Sequence, residues 1–216
     1  MKKRHIILLV SLVVFNSCIV KSLNPFYTEE TIKFSKDFLG EWKDNNKDIW
    51  KITSLKDEYA KLINSGEKIT LEDEKFFKKY KNSYSVEYSD KDKKSLFIAT
   101  PFKLKDQLFL DFIPFNDQGS EMNGLLQIHN IYPHSLVKLD ILNNNEISIK
   151  WFDEKRLKEI FKEKRIKIKH EKIGVMKEDI LLTASSEELQ QFLKKYMASE
   201  SAKKWETETK FTLKKS

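Results

Sequence analysis

The sequence predicts a mainly β protein of the α+β class, an antiparallel barrel or sandwich carrying two to four short helices. Three observations lead there. Between residues 82 and 152, six runs rich in β formers follow one another across short turns, the pattern of an antiparallel meander. Closing such a meander on itself removes its exposed edges, so a barrel or sandwich is the expected end state. Finally, a single cysteine in 216 residues excludes an intramolecular disulfide, and the domain must be held by its core alone.

The chain opens with Met1-Lys2-Lys3-Arg4-His5 and continues into "IILLVSLVVF", residues 6 to 15. A charged start followed by an apolar run of about ten residues has the layout of a secretory signal, and is shorter than the ~20 residues that span a bilayer. Ordinary cleavage after Ser17 places a small residue at one required position and the bulky Phe15 at the other. The segment resembles instead a bacterial lipoprotein signal, which ends in a small residue followed by cysteine. That resemblance implies a diacylglycerol on the Cys18 thiol, cleavage between Ser17 and Cys18, and acylation of the new amino terminus. Residues 1–17 are then the signal peptide. By the same resemblance Cys18 is expected to anchor the domain by its acyl chains to a membrane of the cell envelope, outside the cytoplasm, since two or more chains hold where one does not.

The formal charge of +7 suggests nucleic acid, but three of the 40 basic residues, Lys2, Lys3 and Arg4, lie in the signal. Without them the balance is 37 basic against 33 acidic residues, or +4, interspersed as in "EKRLKEIFKEKRIKIKHEK". Only Arg4, Arg156 and Arg165 are arginines, whereas phosphate and base recognition draw on arginine. No nucleic-acid partner is expected; surface lysines suit anionic headgroups better.

Residues 18–25 read as lipidated terminus and tether, with a turn at Asn24-Pro25. Phe26, Tyr27, Ile32 and Phe34 are too apolar for a linker, so a single domain is expected over residues 26–216. Gly40-Glu41-Trp42 opens the first strand, Asn45-Asn46 supplies a turn tolerant of positive φ, and Ile49 to Thr53 forms the second strand. This G-x-W resembles the signature of lipocalins and the wider calycins. It implies a lipocalin-like barrel whose closed end is plugged by Trp42, with Gly40 as the glycine of the signature.

Residues 55–80 read as a helical insertion. Leu55, Tyr59, Leu62 and Ile63 share one face and stop before Ser65-Gly66; Thr70 then caps a second helix carrying Phe76, Phe77 and Tyr80. The six runs of the meander are "NSYSVEYS", "SLFIATPFKL", "QLFLDFIPF", "GLLQIHNI", "SLVKLDIL" and "EISIKWF". Beyond them Asp153 caps a helix with Leu157, Ile160 and Phe161 in a stripe, and Ser185 with Glu188 forms a capping box before Leu189, Phe192, Leu193 and Tyr196. Both stripes read as core packing. "RIKIKH", "DILLTA" and "KFTLKK" supply further strands.

Motifs for a serine hydrolase, a zinc protease, a P-loop or a dinucleotide fold are lacking, and no enzyme activity, cofactor or metal is expected. His129 and His134, five apart around Pro133, fit neither helical zinc spacing nor a strand face, and read as a hairpin corner. His170, alone among lysines, reads as solvated. Asp111 shares a strand face with Phe109 and Ile113, so it must be bonded, paired or raised in pKa if that strand is central. The expected function is non-enzymatic binding of a small apolar or amphipathic ligand, or of an envelope partner, in a barrel lined by Phe97, Phe102 and Phe109 with Asp111. The alternatives are a structural or assembly lipoprotein with a filled barrel, and a hydrolase using Asp111 with His129 or His134.

Overall fold

The structure is a computed structural model that describes residues 19–91, 93–115, 131–163, 167–200 and 203–216. The signal segment, Ser17, Cys18, His129 and the "GLLQIHNI" run up to Asn130 lie outside the described residues.

Eight strands close into an antiparallel barrel: β2 (Gly40–Lys43), β3 (Ile49–Ser54), β4 (Tyr84–Asp90), β5 (Lys93–Leu104), β6 (Gln107–Phe115), β7 (His134–Asn143), β8 (Glu146–Trp151) and β11 (Lys210–Lys215). Neighbours along the chain pair from β2 to β8, β11 lies between β8 and β2, and the β6–β7 pairing completes the ring. Closure decides between barrel and sandwich, and the architecture is consistent with a lipocalin-like fold. A side sheet continues from β7 through β1 (Lys21–Ser22) to β10 (Asp179–Leu182) and β9 (His170–Ile173). The strand expected at "RIKIKH" thus begins only at His170.

Among the described residues four α-helices decorate this frame: α1 (Leu55–Asn64), α2 (Leu71–Tyr80), α3 (Glu154–Lys162) and α4 (Ser186–Ala198). Each starts where a polar side chain takes up an orphan backbone N–H: Ser54, Thr70, Asp153 and Ser185 accept from Asp57, Asp73, Arg156 and Glu188. At the β2–β3 hairpin the positive φ falls on Lys47 rather than on Asn45 or Asn46. The buried Asp44 carboxylate sets that turn, accepting from the N–H groups of Asn46 and Asp48 at 2.8 and 3.0 Å.

Strand alternation divides the apolar residues between two cores. The inner core fills the barrel with Trp42, Trp50, Ile52, Tyr84, Val86, Leu110, Phe112, Val137, Ile149, Trp151 and Leu213 among others. The outer core lies on the wall of β5, β6 and β7, where Phe102, Phe109 and Leu136 meet Phe26, Phe152, Leu157, Ile160 and the buried stripe Leu189, Phe192, Leu193 and Tyr196. The expected tether is part of this core. Ile19 bridges to Asp153, the Val20 N–H donates to Phe152 O at 2.9 Å, and Val20 is fully buried. Val20, Ser22 and Phe26 are buried because β1 fills a gap between β7 and β10, a pairing too short to register as a strand in sequence.

Candidate functional site

Asp111 sits on the outer face of β6, wholly buried beneath the N-terminal segment. Its Oδ2 accepts the Phe26 N–H at 2.7 Å, and its Oδ1 is hydrogen bonded to His134 Nδ1 at 2.6 Å. Register explains the meeting: Asp111 lies opposite Leu136 on β7, and His134 is two residues away on the same face. Burial pushes the Asp111 carboxyl above the usual carboxylate range, against the lowering pull of His134 and the Phe26 N–H. Ser22, opposite His134 on β1, gives its hydroxyl to Asn24 O at 2.8 Å. The acid and histidine therefore come together as a lock between the barrel wall and residues 19–27. His170 is half-buried rather than solvated, stacked on Phe161 with ring centroids 4.3 Å apart.

The four side chains expected to line one ligand cavity fall on two faces of the wall. Phe97 packs with the inner core, 5.8 Å from Phe112; Phe102 and Phe109 stack at 5.4 Å in the outer core, near Asp111. A strand turns consecutive residues to opposite sides, so a phenylalanine-rich strand pair cannot present all of them to one lumen. Inside, the end of the barrel where β3 begins is filled by aromatic rings. Trp50 packs against Tyr88, Phe211 and Trp151 at 4.6, 5.1 and 6.4 Å, and Trp151 against Phe112 at 5.2 Å. The Trp50 Nε1–H donates to Asp44 Oδ2, and the Tyr88 hydroxyl to Asp48, so the polar tips are bonded as well.

The opposite end is closed by residues 32–39. Phe34 and Phe38 pack on Tyr84 at 4.8 and 5.1 Å, and the Tyr84 hydroxyl donates to Ser35 O while accepting from Ser35 N–H. Burial pushes the Tyr84 phenol up to about 12. Trp42 is buried there with its Nε1–H on Phe38 O, and the Lys215 ammonium lies 5.4 Å from its ring centroid. Gly40 has φ +129, and a Cβ there would come within 3.3 Å of the Lys215 side chain. The space left at this end, about 210 Å³ bordered by Trp42, Leu108, Leu139, Ile147 and Lys215, is below the ~300 Å³ where small-molecule sites begin.

A larger opening lies outside the barrel, between the α1–α2 hairpin and the wall of β4, β5 and β6. This groove holds about 580 Å³ and is lined by Leu55, Tyr59, Leu62, Phe76, Phe77 and Tyr80 from the helices and by Leu96, Ile98, Phe115 and Phe97, the one expected ligand-binding residue that borders it, from the strands. Tyr59 and Phe77 stack at 4.0 Å and hold the two helices together, and Phe76 reaches Phe115 at 5.6 Å. No residue of either helix is buried. The lining includes the acids Glu58, Glu72 and Asp73 and, among the described residues, no basic one. Sequence reading found the apolar faces of both helices but assigned neither to a site. The available signal was six large apolar residues on an insertion that the barrel does not need for closure.

No known protein family, curated protein or solved structure matches this chain.

Proposed function

We propose that this is a non-enzymatic lipoprotein of the bacterial cell envelope, anchored through acyl chains on Cys18, that binds a small amphipathic ligand in the groove between the α1–α2 hairpin and the barrel wall. One observation carries the reading: the barrel interior is packed with aromatic side chains while, among the described residues, an apolar groove of ligand size lies outside it. The barrel is then a scaffold rather than a container. The acidic lining suits an apolar body with a neutral or cationic head, since a carboxylate head would face Glu58, Glu72 and Asp73.

Two measurements test this. Cells labelled with a fatty-acid analogue incorporate it into the wild type and not into Cys18→Ala; an unlabelled wild type overturns the anchor. The purified protein takes up a neutral or cationic apolar fluorescent probe, and Phe77→Asp abolishes uptake without unfolding the barrel. Uptake unchanged in that variant removes the groove as the site. The filled interior also favours a second reading, a structural or assembly lipoprotein with no ligand. Protein purified under native conditions without a bound molecule, and without probe uptake, would decide for it.

A further inference from the structure

We propose that the turn joining β9 to β10 is a second point of membrane contact, with Val175 and Met176 inserted into the bilayer to which Cys18 is anchored. Val175 and Met176 are the two most exposed large apolar side chains among the described residues, 98% and 82% exposed. They are adjacent, at the tip of a hairpin, with the exposed Lys172 and Lys177 on either side.

The topology fixes the direction of this tip. Strands β1 and β10 are parallel, with Lys21 opposite Leu181 and Ser22 opposite Leu182, and Lys21 Nζ lies 3.3 Å from Asp179 Oδ2. Because the two strands run the same way, what precedes β1 and what precedes β10 leave the sheet at one end. Cys18 to Val20 precede β1, and the turn Gly174 to Glu178 precedes β10. Ile19, the residue after Cys18 in sequence, and the apolar tip therefore leave the sheet at the same end.

Slack does not separate them from the membrane. Ile19 is bridged to Asp153 and Val20 is buried, so only one peptide link separates an acylated Cys18 from the folded domain. One residue reaches at most about 3.6 Å, which brings this end of the side sheet to the headgroups. A lipidated cysteine on a long tether would leave the tip free; this one does not.

The tip is also built to hold its shape. Gly174 has φ +89, and a Cβ there would come within 2.7 Å of the Glu178 carboxylate. That carboxylate accepts the Met176 N–H at 2.8 Å, the Lys177 N–H donates to Gly174 O at 3.1 Å, and Lys158 on α3 donates to Glu178 O at 2.7 Å. The acid is thereby turned onto its own backbone, and the apolar pair projects between lysines that suit anionic headgroups.

The proposal rests on acylation of Cys18, and its test separates the two. In the full-length acylated protein an introduced thiol is the free one, so Met176→Cys and, at the other end of β10, Lys169→Cys are each labelled with a polarity-sensitive fluorophore. Both are reconstituted in phosphatidylethanolamine–phosphatidylglycerol vesicles containing brominated acyl chains. The label at 176 is expected to shift to the blue and to be quenched at least about twofold more than the label at 169. Protein that carries the acyl mass and floats with the vesicles, but whose label at 176 is no more quenched than that at 169, overturns the contact alone. Protein without acyl mass on Cys18 overturns the anchor, and the contact with it.

Discussion

Two helical pairs lie against the same barrel, and the fold uses them differently. Helix α4 drives Leu189, Phe192, Leu193 and Tyr196 into the outer core, and α3 buries Leu157 and Ile160 beside them. The pair α1 and α2 carries comparable apolar residues, yet none is buried. What differs is the cover. The outer core is roofed by the N-terminal segment and the side sheet, whereas the hairpin meets the wall of β4, β5 and β6 with a groove between them. An amphipathic stripe therefore indicates that a face is wanted against something, and only its surroundings say whether that partner is already present.

The largest effect expected from breaking this contrast is in α4. Phe192→Ala removes a buried ring that packs on Phe152 and Tyr196 and should lower stability by about 3–5 kcal/mol, read from the denaturant midpoint. A loss below about 1 kcal/mol would show that the outer core yields as readily as the hairpin.

Asp111→Ala comes next, at about 1–3 kcal/mol, because it strips the acceptor from the Phe26 N–H and leaves His134 facing a buried gap. Its pH dependence has a definite sign. A carboxyl whose folded pKa is raised holds its proton more tightly in the folded state, so its share of stability is present below the unfolded value of about 3.9 and declines as pH rises through the folded value. Asp111→Asn keeps an acceptor for the Phe26 N–H and loses this titration. Its stability curve should be flatter over the acid range, and an identical curve would assign the titration to another group.

A smaller effect compares like with like. Ser185 with Glu188 and Thr70 with Asp73 form the same capping box on α4 and α2. Ser185→Ala should cost about 1 kcal/mol of global stability. Thr70→Ala should speed amide exchange within the hairpin while the global midpoint stays in place, because that region opens locally. Equal shifts in both midpoints would mean that the hairpin unfolds with the barrel.

A similarly small effect on stability is expected from Phe77→Ala, within about 1 kcal/mol of wild type. Uptake of an apolar probe should nevertheless be lost, since the stack of Phe77 on Tyr59 shapes the groove.

Much of the fold was legible because its signals are local. The four described helices were read from caps and 3.6-residue stripes, and "DILLTA" and "KFTLKK" contain strands β10 and β11. The Gly40-x-Trp42 start of β2 was legible too, whereas the Lys215 ammonium over the Trp42 ring was not. The side-sheet strand β1 was missed, since two residues carry no period. The candidate groove was missed as a site because its lining comes from positions 55 to 115, and no spacing in the chain announces that they converge. Asp111 was singled out as an acid among apolar neighbours. Its bond to His134 depends on the register of β6 with β7, which the intervening sequence does not encode as a pattern.

By itself the sequence determined the class of architecture, the element types and the expectation of an anchor at Cys18. Each follows from side-chain period, turn chemistry or composition within a short window. Tertiary structure decided which face of each strand looks inward, that the barrel is full, that residues 19–27 are folded onto it, and that one helical pair is sealed while the other stands open. Those outcomes depend on which distant segments cover which surface, and covering is settled by packing in three dimensions rather than by any local preference.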